Sequence, residues 1–248
     1  MLFDYIDTLN SKSYQDISLT IPTDLCELVN SLSTVKRFQF KEYPPNVVID
    51  DTYTHTLRCV ELARVSKLAL NQSLLERILW IHDIPEILIG DTTVIEKYRD
   101  KKTDQKIEKS ELEASRLLLS SNDQELLKRF NAASDFLKGR MRWDERTIGF
   151  EAITAKLIDN SEGNMTLHHF IANWVRSDRF DENLMPPLDS LVHAFITNLR
   201  FKEAVEENLS RDQYEVIMPF ISCVLENIRT CWSKTPFTRI PSELGKYL

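Results

Sequence analysis

The run from Ser73 to Asp83, SLLERILWIHD, constrains the fold more than any other part of the chain. Its residues are apolar on nearly all sides of a helix, and such a helix needs neighbours on several sides. Pro85 follows at once, and because proline disfavours helical geometry in the residue before it, we expect a break just after Asp83. The sequence therefore predicts a central helix that ends in an adjacent histidine and aspartate, His82 and Asp83.

Ser73 and Glu76 match the S-x-x-E capping box, which predicts that this helix opens at Ser73. Five glycines in 248 residues are few for a sheet protein with many tight turns, and long segments are rich in Leu, Ile, Glu, Lys and Arg. Both features favour helices over strands. Other helices are predicted over about residues 23–34, 51–70, 104–120, 123–139, 145–162, 186–200 and 210–233. We therefore expect an all-α fold.

Net charge and cysteine spacing narrow the class of protein. A net charge of −7 argues against binding long nucleic acid through a general basic surface, although a small anionic ligand in a local basic pocket stays open. No apolar stretch approaches the roughly 20 residues of a membrane span, and no signal-peptide pattern is expected at the amino terminus. The four cysteines form no CxxC pair. We expect a soluble, cytoplasmic protein with reduced thiols.

The His-Asp doublet is a mixed nitrogen and oxygen ligand set that suits a divalent ion of the Mn, Fe, Co, Ni or Zn kind. It becomes informative only if further ligands lie elsewhere in the chain. His55 begins a buried helix face, where a histidine is more often a core residue than a ligand. Asp159 ends a stripe of small and apolar residues, and an unpaired buried carboxylate is costly. Either a cationic side chain or a metal ion would satisfy Asp159.

The segment VKRFQFKEYPPN places Lys36, Arg37 and Lys41 among aromatic residues, and its Pro-Pro pair excludes a continuous helix. One interpretation is a solvated connector with anchoring rings. The other is a loop that brings a cation and a ring to an anionic, aromatic ligand. The segment alone favours the connector.

Together, His55, the His82-Asp83 pair and Asp159 lie on three separate helical segments in the order H…HD…D. This order resembles the HD superfamily of metal-dependent phosphohydrolases, over roughly residues 34 to 175. The run HDIPEILIGDTTVIEKY is similar to the HD-x-x-E-x-x-x-G-D segment of the 5'-deoxynucleotidase branch, where a Lys-Tyr pair also follows. No GYP motif of the cyclic-di-GMP phosphodiesterases is present, and the Gly-Asp pair differs from the E-D pair of alarmone hydrolases.

The resemblance implies a site in which a divalent metal ion is bound, with Mn, Co, Fe, Ni, Zn and Mg all open. The implied metal ligands are His55, His82, Asp83 and Asp159. Glu86 would be the acid/base residue, and Asp91 would contact the sugar or order the site. Arg37 would match the phosphate-binding arginine that precedes the first histidine, and Lys97 would stabilise the phosphate from the other side.

The resemblance also implies an architecture and an activity. We expect an HD-domain helical bundle at residues 34–180, after a lead-in at 1–33 and before a helical extension at 181–248 packed on the core. The implied activity is release of phosphate from nucleoside or deoxynucleoside 5'-monophosphates, with a nucleotide as the small anionic partner. The alternatives are an HD hydrolase of deoxynucleoside triphosphates or phosphonates, and a nucleotide-binding protein without activity. The metal identity, the base, the sugar and a homodimeric state stay open.

Overall fold

The computed structural model describes residues 19–37, 51–66, 68, 70–91, 101–137, 139–176 and 198–233, with the backbone alone at 101–105, 168–176 and 227–233. Most of these residues are helical, and no β-strand occurs among them. An isolated antiparallel bridge joins Lys36 to Asp51. The predicted all-α fold is confirmed.

The helices are named here in chain order. They are α1 (Cys26–Ser31), α2 (Thr52–Ser66), α3 (Gln72–Ile81), α4 (Glu86–Ile89), α5 (Lys101–Leu118), α6 (Ser121–Leu137), α7 (Phe150–Arg176), α8 (198–208 of the described residues) and α9 (Arg211–Ser233). Single 3-10 turns flank α1 on both sides. The chain forms two compact units, and the boundary between them falls within α7, after Asp159. The N-terminal unit contains the described residues up to Asp159, and the C-terminal unit contains those from Asn160 onward.

The centre of the N-terminal unit is α3. Five of its side chains are at most 2% exposed: Leu75, Ile78, Leu79, Trp80 and Ile81. The helix packs against α2 on one side and α6 on another. Each fully buried large apolar side chain contributes about 1.5–3 kcal/mol to stability. The predicted central helix is therefore confirmed, and its burial fixes where its last residues lie.

The predicted start of α3 is wrong. Asn71 is the N-cap, and its side-chain oxygen accepts a hydrogen bond from the backbone N–H of Leu74 at 3.1 Å. Asparagine is among the strongest N-caps, so the helix begins before Ser73. Glu76 does not close a capping box, because its carboxylate accepts two hydrogen bonds from Arg64 on α2, at 2.9 and 2.7 Å.

The predicted break after α3 is confirmed. The helix ends at Ile81, and a turn carries the chain through His82 and Asp83 to Pro85, the N-cap of the short helix α4. Gly90 ends α4 with φ +79°, a left-handed conformation that favours glycine. The His-Asp pair therefore lies in the turn between two helices.

Three further helix bounds, one in α2 and two in α7, differ from the predicted ones. α2 ends at Ser66, four residues before the predicted end. α7 begins at Phe150 because Asp144 first makes a turn, in which its carboxylate accepts from the Thr147 hydroxyl and from the Arg146 N–H. α7 also continues to Arg176 instead of ending near residue 162. Segments α5 and α6 match the predicted helices within three residues at each bound.

In the C-terminal unit, α8 and α9 bury apolar side chains that include Phe201, Ile217 and Phe220. The predicted helix over 210–233 is confirmed, and it contains Pro219. Most of the predicted helix at 186–200 lies outside the described residues. The proposed boundaries at 33 and 180 stay a prediction. None of the helices described is both long enough and apolar enough to cross a membrane.

Candidate metal centre

The N-terminal unit brings together the four residues whose order suggested a metal site. His55 is the fourth residue of α2, His82 and Asp83 follow α3, and Asp159 lies on α7. Because α2 packs along α3, the first turn of one helix lies near the end of the other. The side chains of both histidines are 1% exposed and those of both aspartates 17%.

Four ligand atoms of these residues converge. His82 Nε2 lies 3.3 Å from His55 Nε2 and 3.0 Å from Asp83 Oδ2. His55 Nε2 lies 3.5 Å from Asp83 Oδ2 and 3.2 Å from Asp159 Oδ1, and the His82 Nε2 to Asp159 Oδ1 distance is 3.9 Å. Ligands at about 2.0–2.2 Å from an ion, with tetrahedral or octahedral angles between them, are themselves about 3–3.6 Å apart. Four of the five distances match this spacing, and the fifth requires a wider angle.

The hydrogen bonding of the His82 ring also supports a metal ion at this cluster. Its Nδ1 donates a hydrogen bond to the carbonyl oxygen of Leu79 at 2.8 Å, which leaves Nε2 as the ring nitrogen that faces the cluster. This is the usual arrangement of a metal-binding histidine. The ring edge also contacts Phe130, with 5.4 Å between ring centroids. Nε2 lies 3.0 Å from Asp83 Oδ2, and because a carboxylate oxygen only accepts, the two atoms are joined either by the Nε2 proton or by a metal ion that takes its place.

The two carboxylates are held in their charged form. Burial raises the pKa of Asp83. The hydrogen bond from His82 and the positive charges of His82 and His55 together lower that pKa by more than burial raises it, so it lies below its usual value. Burial also raises the pKa of Asp159, and Lys156 and the hydrogen bond to His55 outweigh it, so that pKa is well below its usual value. Both residues therefore carry negative charge at neutral pH.

Lys156 contacts this centre and was missed by the sequence analysis. Its Nζ lies 2.6 Å from Asp159 Oδ2 and 4.7 Å from the centroid of the Phe130 ring. The sequence contained a signal, because a lysine three residues before an aspartate shares a helix face with it. From the sequence alone, either a cation or a metal ion was expected as the partner of Asp159. The structure assigns a cation to one oxygen and turns the other oxygen toward the imidazoles.

Cys59 lies one turn after His55 on α2. Its Sγ and the ligand atoms of His55 and His82 all lie within 4.8 Å of one another, a second sign that a metal ion fits at the two histidines. The sulfur is 3.7 Å from Nδ1 and 3.6 Å from Nε2 of His55. Near-equal distances place it against the ring and not in line with either lone pair. In this arrangement Cys59 supports the ring of His55.

Glu86 is the first residue of α4, and its side chain lies beside the start of α2, the helix that carries His55. Its Oε2 accepts a hydrogen bond from the Thr52 hydroxyl at 3.1 Å, and Thr52 is the first residue of α2. The positive end of a helix dipole also favours a carboxylate there. Glu86 was predicted and Thr52 was not, because only the packing of α4 near α2 joins residues 34 positions apart.

Of the three remaining predicted residues, the structure describes Asp91 and Arg37. Asp91 follows Gly90 and is half-buried. Arg37 is also half-buried, and the backbone beside it is held at the start of α2, where the Thr52 N–H donates to the Val35 carbonyl at 3.0 Å. Lys97 lies outside the described residues. The roles given to these three residues stay predictions.

A family model described as HD domain matches residues 29–172, which is more than half of the chain. No curated protein and no solved structure matches the chain. The matched range contains the histidine and aspartate cluster as well as Glu86. The chain therefore belongs to the HD-domain family and is a metal-dependent phosphohydrolase that binds a divalent ion.

Proposed function

We propose that the protein hydrolyses nucleoside or deoxynucleoside 5'-monophosphates to the nucleoside and inorganic phosphate. The proposed ligands of its divalent ion are His55, His82, Asp83 and Asp159. The observation that carries this proposal is the approach of the two Nε2 atoms and of one oxygen from each aspartate to within 3.0–3.9 Å. Support for a nucleotide substrate comes from the HD-x-x-E-x-x-x-G-D run of the sequence.

The residues of the centre are suited to phosphate-ester hydrolysis. A bound divalent ion lowers the pKa of a coordinated water and offsets charge on the phosphoryl oxygens. Two neutral imidazoles and the carboxylates of Asp83 and Asp159 hold such an ion without cancelling its Lewis acidity. Leu79 keeps His82 in the required tautomer through the 2.8 Å hydrogen bond to its carbonyl oxygen.

In this proposal the proton is handled by Glu86. Its carboxylate takes a proton from the attacking water or delivers one to the leaving ester oxygen, which is general acid–base catalysis. Thr52 orients that carboxylate through the 3.1 Å hydrogen bond. Arg37 and Lys97 are proposed to bind the phosphate, and Asp91 is proposed to contact the sugar.

The substrate is tested by an activity screen of metal by substrate. Metal-free protein is reconstituted with Mn²⁺, Co²⁺, Ni²⁺, Zn²⁺ or Mg²⁺ and given ribo- and deoxynucleoside 5'-monophosphates, deoxynucleoside triphosphates and phosphonates. We expect inorganic phosphate from the monophosphates. Release of tripolyphosphate from triphosphates, with no monophosphatase activity, would replace the proposed substrate class within the same family. Nucleotide binding without turnover of any phosphate compound would instead favour a binding protein.

A further inference from the structure

Lys156 is paired with a residue of the histidine and aspartate cluster, whereas the other lysines with a described ion pair contact glutamates elsewhere. Its partner is Asp159, whose other oxygen lies 3.2 Å from His55 Nε2. The side chain of Lys156 is 20% exposed, so the ammonium is at the edge of the centre and still reaches solvent. Beneath it lies the ring of Phe130, which is itself 5% exposed and touches His82.

We propose that Lys156 is a positioning and charge-setting residue that weakens metal binding at this centre and strengthens phosphate binding. The inference rests on the proposed role of Asp159 as a metal ligand. By holding Oδ2 at 2.6 Å, Lys156 leaves Oδ1 as the oxygen that faces the imidazoles. Asp159 would then offer an ion one oxygen instead of two.

The charge of Lys156 acts on two ligands in opposite directions. A fixed positive charge near the centre repels a divalent cation and attracts the phosphate of a substrate or product. Removing that charge makes the centre one charge more negative, with or without the ion. The screening by water is incomplete at a side chain that is four-fifths buried. The expected signature is tighter metal binding together with weaker phosphate binding.

This signature separates electrostatic positioning from a structural role. If Lys156 only stabilised the fold, its replacement would weaken the binding of both the metal ion and phosphate, because both need the same folded cluster. The side chain of methionine is unbranched and keeps the contact with Phe130 while removing the charge, so Lys156→Met is the test variant. Lys156→Arg keeps the charge and serves as the conservative rescue.

A matched control exists on α6. Lys128 pairs with Glu125 three residues away at 3.1 Å, the same helical spacing as Lys156 and Asp159, but both side chains are more than half exposed. Lys128→Met therefore removes an equal charge from a lysine–carboxylate pair outside the centre.

The experiment measures two affinities by isothermal titration calorimetry. Mn²⁺ is titrated into metal-free protein, and inorganic phosphate into Mn²⁺-loaded protein from which free ion has been removed. For Lys156→Met we expect Mn²⁺ to bind about tenfold more tightly and phosphate about tenfold more weakly, from the loss of one charge at short range. Lys156→Arg and Lys128→Met should both match the parent.

Any other combination of signs overturns the inference. Weaker binding of both ligands would make Lys156 a structural residue, and unchanged affinities would remove it from the centre. If Lys156→Met fails to fold, the neutral variant Lys156→Gln must show the same opposite changes. Asp159→Ala tests the proposed function separately: Mn²⁺ binding that survives in it would overturn the ligand assignment. Mn²⁺ binding lost in Asp159→Ala but unchanged in Lys156→Met would overturn this inference alone.

Discussion

The N-terminal unit contains two pairs of aspartates with very different partners. One pair contacts a side chain of α3, and the other lies beside the residues that follow α3. In the first pair, Arg77 donates to both oxygens of Asp123, each at 2.7 Å, and to both oxygens of Asp24, at 3.1 and 2.7 Å. In the second pair, Asp83 and Asp159 approach two histidines and one lysine. We call the first the arginine cluster and the second the histidine cluster.

The difference lies in where the positive charge comes from. A guanidinium is always charged and its planar fork matches carboxylates, so Arg77 satisfies the arginine cluster from within the chain. In the histidine cluster, two imidazoles take the place of the guanidinium, and an imidazole can give up the proton of the nitrogen that faces the carboxylates. That cluster can therefore exchange protons for a divalent cation from solution. A closed ion network therefore stabilises the fold, while a network whose protons can be exchanged is suited to bind a cation.

Removing an imidazole should have the largest effect. His82→Ala deletes one proposed ligand, and we expect loss of metal binding together with a fall in turnover of more than about 10³-fold. Cys59→Ala, which removes the thiol beside His55, should keep both metal and activity. Metal content by atomic absorption and kcat on the best monophosphate check the pair. Metal lost in Cys59→Ala and retained in His82→Ala would assign the ligands differently.

Glu86→Gln should separate chemistry from metal binding. Glutamine keeps the size and the hydrogen bond to Thr52 but cannot carry the proton, so kcat should fall by about 10²–10⁴-fold. Metal and nucleotide affinities should stay close to those of the parent. Glu125→Gln on the exposed face of α6 is the control and should leave kcat unchanged. Loss of metal would make Glu86 a ligand, and an unchanged kcat would exclude it from the mechanism.

Breaking the arginine cluster should lower stability and leave the activity per folded molecule unchanged. Arg77→Met leaves Asp123, which is 4% exposed, without its guanidinium, and we expect a loss of about 2–3 kcal/mol in the free energy of unfolding. Added metal should not reverse this loss, because it binds elsewhere. Arg211→Met breaks an exposed arginine–glutamate pair and should cost less than about 0.5 kcal/mol. Urea unfolding with and without metal measures both. Full rescue of Arg77→Met by metal would contradict the separation of the clusters.

The pH dependence of the arginine cluster should be the smallest effect. Hydrogen bonding by Arg77 lowers the pKa of Asp24, and in Asp123 it outweighs burial, which raises the pKa. A depressed folded-state pKa stabilises the protein above the unfolded value and loses that contribution as pH falls through the folded value. When the pH is lowered from neutral to below about 4, the free energy of unfolding of the metal-free parent should thus fall by about 1 kcal/mol more than that of Arg77→Met. Equal pH slopes in the two proteins would contradict this linkage.

Much of the histidine cluster could be predicted because helices have a fixed period. The apolar run of α3 predicted a central helix, and Pro85 predicted the break that sets His82 and Asp83 between helices. The capping box failed because Asn71 is an earlier and equally strong cap. Local signals of similar strength compete, and the chain alone does not show which of them the packing favours.

The fold class, the HD-domain family and the order of the histidines and aspartates could all be predicted, because they depend on residue type and spacing along the chain. Three contacts of the site could not be predicted in this way: Lys156 holds one oxygen of Asp159, Thr52 holds Glu86, and Leu79 accepts from Nδ1 of His82. Each of these is a choice among several partners within reach, and distances of about 3 Å between side chains are fixed by how helices pack and not by their period.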